Sequence, residues 1–307
     1  MRKEVPNFWS IGKILLTLFI ISSLASMFFG SGNDDESTIS DNKANVAIIP
    51  VKGVIMVEGN SNPLGGTSVA SSDRIIKEIN KAKNSPNIKA IIFEINSPGG
   101  GGVASDEVGQ AIKESNLTTV SVIREMGTSG AYWIASATDH IIANRMSLTG
   151  SIGVIGSYLD FSGLLEDFNI TYKRFVAGKY KDIRSPMREI TNEESKIYQG
   201  ILDKMHDFFI TEVAANRGLS EKETRELATG LFYLGSEALE LGLIDELGTI
   251  EDAKNYIEKE LDIEVVTTEF KEKKSITGRQ LLHSNQHSLL LRLYQQYVQR
   301  PISQLFL

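Results

Sequence analysis

The segment MGTSGAYWIASA, residues 126–137, places Ser129 between small residues and ahead of a short apolar run. A turn of small residues running into a buried helix can hold a serine hydroxyl in a cleft. There it serves as a nucleophile if a base takes its proton. The same letters also describe a helix cap, or a helix packed closely on a sheet. Four histidines are candidate bases: His140, His206, His283 and His287. None lies in a segment that reads as a catalytic loop. His140 opens a strand-like segment after Asp139, His206 falls within a long helical pattern, and the other two belong to the C-terminal tail. A Ser-His-Asp triad therefore has no support from the sequence.

Lysine is the other candidate. FVAGKYKDIRSPMREIT, residues 175–191, carries Lys179 and Lys181, and on composition alone both read as solvated loop lysines. An amine accepts a proton only when neutral, and the reference pKa of lysine is about 10.4. To act near neutral pH, burial must bring that value down by roughly three units, at a cost of about 4 kcal/mol. A hydroxyl that orients the amine without charging it helps. Ser151, in LTGSIGVIG, suits that role, and its plainer reading is a turn serine beside Gly150. A carboxylate beside the amine would instead favour its charged form, so Asp182 is expected to turn away.

NSPGGGG, residues 96–102, completes the set. Pro98 fixes a turn, and glycines 99–102 permit backbone angles that other residues resist. Unpaired N–H groups at such a turn, and at the helix that follows, can hold an anion or oxyanion. The Gly-Lys-Ser/Thr ending of a phosphate-binding loop is missing, and a simple strand-to-helix turn is the plainer reading. With no cysteine in the chain, thiol nucleophiles, disulfides and cysteine zinc sites are excluded.

Elements must position these residues. NVAIIPVKGVI (45–55), IKAIIFEIN (88–96) and TTVSVI (118–123) read as strands, as do HIIANRM (140–146), GVIGSYLD (153–160) and TYKRFVAG (171–178). Helices are expected over 71–84, 103–115, 129–137 and 161–168, with shorter turns near 220–228 and 236–241. Thr191 and Glu194 form a capping box that opens a long helix to about Asn216, with Ile197, Ile201, Met205, Phe208 and Phe209 on one face. Strands alternating with helices imply an α/β fold with parallel pairings.

The chain has 307 residues and a net charge of −7, with no basic stripe, which argues against nucleic-acid binding. Residues 14–30, ILLTLFIISSLASMFFG, carry no charge and follow Arg2, Lys3 and Lys13. With Phe8 to Ile11 included, this is the length of a membrane span. The positive flank is expected to stay in the cytoplasm. A cleaved signal peptide is the rival reading, and Met27, Phe28 and Phe29 make a poor cleavage site for it. The expected organisation is a cytoplasmic stub and transmembrane anchor over 1–30, a polar linker over 31–44, a catalytic domain over 45–270, and a partly helical tail over 271–307.

NSPGG, TSGAYWIA, LTGSIGV, GKYKDIRSP and GLIDELG, in that order, resemble the signal peptide peptidase A family in its short, single-repeat form. The similarity covers roughly residues 45–260. It implies a Clp protease/crotonase-type ββα superhelical α/β fold, and a membrane-anchored serine endopeptidase that works without cofactor or metal. Ser129 then matches the nucleophile, Lys181 the general base, and Ser151 the hydroxyl on that lysine. Gly100 matches an oxyanion-hole donor, with Gly130 as its companion. The resemblance also implies peptide substrates, among them released signal peptides, a ring-shaped homo-oligomer, and a catalytic domain outside the cytoplasm. The short spacing of Ser129 and Lys181 suggests that one subunit supplies both. Rival readings are a Ser-Lys protease specific for one membrane protein, a crotonase-type acyl-CoA enzyme, and an inactive anchored scaffold.

Overall fold

In sequence order the elements are β1 (Val46–Lys52), β2 (Val54–Met56), β3 (Val69–Ser71), α1 (Ser72–Lys83), β4 (Ala90–Ser97), α2 (Gly102–Lys113), β5 (Thr118–Thr128), α3 (Gly130–Ser136), β6 (His140–Ala143), β7 (Leu148–Gly150), α4 (Ser162–Asp167), α5 (Asn192–Arg217), α6 (Glu221–Leu227), β8 (Phe232–Leu234), α7 (Gly235–Glu240), β9 (Glu246–Leu247), α8 (Ile250–Leu261) and β10 (Thr267–Glu269). They come from a computed structural model that describes residues 43–58 and 68–270. The expected anchor, the tail, His283 and His287 lie outside the described residues. Among the described residues, no helix is long and apolar enough to cross a membrane.

The main sheet runs β10-β1-β4-β5-β6-β9, with every pair along that path parallel. Near its end β5 leaves β6 and pairs with β7, which pairs antiparallel with β8. Side chains of a strand alternate between faces. Ile91, Phe93 and Ile95 of β4 therefore meet Ile75, Ile79, Val108 and Ile134 on one face. Ala90 and Ile92 meet Ala253 and Ile257 on the other. Burial on both faces explains why β1, β4 and β5 read as nearly continuous apolar runs.

The structure departs from the sequence reading in several places. The run 45–55 is two strands, broken at Gly53, where φ is +89° and a Cβ would lie 2.0 Å from the Ser68 carbonyl oxygen. The runs 153–160 and 171–178 form no strand. A strand needs a neighbour for its backbone groups, and along this stretch none is offered; Ile155 and Phe175 stand 88% and 90% exposed. The long helix α5 forms with its Thr191–Glu194 capping box, yet of the expected face only Phe209 is buried. Finally, α8 was not anticipated, although Thr249 and Asp252 form a capping box and Ala253 and Ile257 share a face.

Candidate active site

Ser129 stands where strand becomes helix within one residue. Its N–H donates to the Gly150 carbonyl at 2.8 Å, extending the β5–β7 ladder. Its own carbonyl accepts from the N–H groups of Tyr132 and Trp133 at 2.8 and 3.0 Å, which starts α3. Meeting both demands puts Ser129 at φ +54°, ψ −127°. Such a conformation costs a non-glycine residue about 1–3 kcal/mol and persists only where its surroundings enforce it. Here the enforcement is α3, whose seven residues are all buried. The Tyr132 hydroxyl donates to the Leu243 carbonyl at 2.7 Å, and burial pushes its phenol pKa up. Trp133 stacks on Phe209 with centroids 4.8 Å apart. A serine at a helix start usually accepts from the first-turn amides. Ser129 makes no such bond, and among the described residues its hydroxyl has no partner.

The glycine turn lies against this serine. The Ile55 N–H donates to Gly99 and the Gly101 N–H donates to Ile55, at 2.9 and 2.8 Å, forming a parallel bridge between Ile55 and Gly100. In that pattern the N–H of Gly100 itself points to the opposite side of the ladder. Contacts are tight enough to exclude side chains. A Cβ on Gly99 would lie 2.7 Å from the Gly130 nitrogen and 2.9 Å from the Ser129 Cβ, and one on Gly130 would lie 3.3 Å from the Gly100 nitrogen. The amides of Gly100 and Gly130 are thus neighbours beside Ser129. Two residues missed from the sequence hold the turn. Ser97 Oγ accepts from the Gly99 N–H at 3.1 Å, and Ser105 Oγ donates to the Gly101 carbonyl at 3.0 Å. A serine just before Pro98 was the available signal for Ser97; nothing in the sequence marked Ser105.

Thr128 pairs with Gly150, so Ser129 and Ser151 leave adjacent strand ends side by side. Ser151 also takes a positive φ, +50°. The 228–231 loop holds it: its N–H donates to Leu231 at 2.9 Å and its hydroxyl to Gly230 at 3.0 Å. Lys181 is not bonded to this group. It sits exposed in a turn over 178–185, and among the described residues its amine has no hydrogen bond or ion pair. That turn is tied to the start of α5, where Lys179 and Tyr180 both reach Glu193, at 2.7 and 2.5 Å. Asp182 is engaged by Arg174 and Arg188 instead of by a lysine.

The two described histidines, His140 and His206, are elsewhere. His140 pairs with Val120, and Ser129 lies nine residues further along β5; with the bulge before Gly127 this is about 23 Å at 3.3 Å per residue. The His140 ring stacks on Tyr256 and approaches Glu246 at 3.3 Å. His206 is half-buried on α5, with Nε2 enclosed and, among the described residues, without a partner. A cavity of about 600 Å³ bounded by Thr118, Asp139 and Tyr256 lies at the same far end of the strands as His140.

A strained serine beside two neighbouring glycine amides suits acyl transfer, and comparison with known proteins agrees. The model of peptidase family S49 matches residues 111–264, a span that includes Ser129, Ser151 and Lys181. A protein of Enterococcus faecium that carries the name signal peptide peptidase SppA is 33% identical over 245 residues, covering 78% of this chain and 71% of that protein. Protease 4 of Haemophilus influenzae is 28% identical over 270 residues, 80% of this chain but 42% of that protein. The chloroplastic serine protease SPPA of Arabidopsis thaliana is 29% identical over 212 residues, 68% of this chain and 31% of that protein. The chain thus spans well under half the length of the last two relatives. It belongs to peptidase family S49, the signal peptide peptidase A family of serine proteases.

Proposed function

We propose that this chain is a membrane-anchored serine endopeptidase of Clp protease/crotonase fold, working through a Ser129–Lys181 dyad on released signal peptides and other membrane-proximal peptides. The observation that carries the reading is the strained, uncapped Ser129 beside the amides of Gly100 and Gly130. Neutral Lys181 takes the proton of Ser129 as its Oγ attacks the scissile carbonyl. The two amides receive the oxyanion, usually the largest single stabilising effect in such chemistry. Lys181 passes the proton to the departing amine, and a water deprotonated by the same lysine hydrolyses the acyl-enzyme. Ser151 orients the amine. Catalysis takes place outside the cytoplasm, with residues 14–30 as the anchor.

The lysine is drawn from a neighbouring copy in a ring, in place of the same-chain arrangement that the spacing first implied. What supports this is the arm over 152–205. Along α5, twelve residues separate Glu193, which holds the lysine turn, from Met205, which reaches Gly102; that is about 18 Å of helix. The arm also exposes Ile155, Leu159, Phe168 and Phe175, each by 70% or more. Apolar surface of this extent marks an interaction site.

A fluorophosphonate probe tests the centre. It is expected to label wild type on one serine, and Ser129→Ala is expected neither to label nor to cleave a peptide library. Cleavage by a folded Ser129→Ala enzyme would overturn the reading.

A further inference from the structure

Resting on the reading of Lys181 as base, we propose that Arg188 is a positioning residue that fixes the turn presenting this lysine. The four side chains 179–182 are unequal. Lys179 and Tyr180 are bound to Glu193, and Asp182 is bound to two guanidinium groups. Only the amine of Lys181 is left without a partner among the described residues. An exposed lysine beside so many acidic groups ordinarily finds one of them. Here the carboxylates of Asp182, Glu193 and Glu194 are already taken.

Arg188 is central to that arrangement. Its Nε and Nη2 donate to the Asp182 carboxylate at 2.9 and 3.2 Å, while Nη1 and Nη2 donate to Glu194 at 2.9 and 2.6 Å. Glu194 in turn closes the capping box with Thr191, accepting from the Thr191 N–H at 3.0 Å. On the outer side, Arg174 grips Asp182 at 2.5 and 2.6 Å. Bidentate pairs of this kind fix orientation as well as distance.

Both arginines also hold backbone. Arg174 donates to the Lys179 carbonyl at 3.1 Å, and Arg188 donates to the Asp182 carbonyl at 3.4 Å. These carbonyls flank residues 180 and 181, so the backbone that carries the lysine is held from both sides to the first turn of α5. The two guanidiniums and two carboxylates cancel, so the clamp adds no net charge next to the amine. A lysine would not replace Arg188, because a single ammonium cannot bridge two carboxylates bidentately and reach a carbonyl as well.

The test uses the full chain, with Arg188→Gln, Arg188→Lys, Asp182→Asn and the double variant Asp182→Asn/Arg188→Gln. Arg225→Gln serves as control, since it removes an exposed ion pair with Asp207 away from the turn. Peptide kcat and KM are measured with melting temperature and sizing by light scattering. Misplacing a catalytic group by about 1 Å costs on the order of 100-fold. The expected result is a kcat loss of that order in each clamp variant, with KM, melting temperature and particle size near wild type. The double variant is expected to lose no more than either single one, and Arg225→Gln to match wild type. Normal kcat in Arg188→Gln and Asp182→Asn, beside a dead Lys181→Ala, would overturn the clamp and leave the dyad standing. A kcat loss that merely tracks loss of folded or assembled protein would overturn it too. An active Lys181→Ala would instead overturn the dyad.

Discussion

At Ser129 the backbone sits in a conformation that glycine accepts and serine resists, and the hydroxyl forgoes the capping bond its position offers. Both features are costs that a purely structural serine would not carry. Ser129→Gly should therefore raise stability by about 1 kcal/mol while abolishing peptide cleavage. Thermal melts beside an activity assay check this, and a less stable glycine variant would contradict the strain. His206 offers a second measure of the same kind. Its Nε2 is enclosed and has no partner among the described residues, so His206→Leu should melt no lower than wild type, because an unsatisfied buried polar atom is removed. From sequence, Ser129, Ser151 and the glycines were legible as chemistry only when taken together and in order. Each one alone read equally well as a turn or a cap.

The elements differ in how plainly the sequence announces them. β1, β4 and β5 are apolar runs that only a doubly covered sheet requires, and α5 is marked at its start by a capping box. By contrast β7, β8, β9 and β10 have two or three residues each, too few for any period to show. The 153–178 stretch carries strand-like residues without a strand partner, so the local pattern misleads. The clamp at the head of α5 has a defined acid response. The Arg188 guanidinium, and then the Thr191 amide, hold the Glu194 carboxyl down at about 2. Asp182 is likewise held well below the carboxylate range, first by Arg188 and then by Arg174. A lowered carboxylate stabilises the local turn that binds it fully above its unfolded value and loses that contribution as pH falls toward the folded one. Hydrogen exchange over 174–194 should thus stay slow down to about pH 4.5 and quicken progressively toward pH 2. Equal rates at pH 5 and pH 2.5, corrected for intrinsic exchange, would count against the clamp.

For the whole molecule, in the proposed ring the arrangement of subunits decides whether the catalytic centre is complete. Equimolar Ser129→Ala and Lys181→Ala chains, each inactive alone, can rebuild a centre only if serine and lysine come from different copies. Random mixing in a ring then restores about a quarter of wild-type activity, and the same-chain alternative restores none. Mixing should proceed through unfolding and joint refolding, with particle mass checked by light scattering. Whether the copies depend on one another is not legible in the sequence, because the interval between Ser129 and Lys181 is short whichever way the arm points.

One topological detail has an engineering meaning. β10 lies beside β1 in parallel, with Val46 opposite Thr267, so the peptide enters and leaves the sheet along one border. Lys43 and Phe270 each lie only three residues beyond that pair, and a bridge of about eight residues spans the gap. A circularised chain over 43–270, reopened in the exposed turn between Pro86 and Asn87, should keep the parent's circular dichroism spectrum. The catalytic body is in this sense a cassette: evolution or a designer can splice it into a loop of another protein through a single seam, or repeat it in tandem, without rerouting a strand.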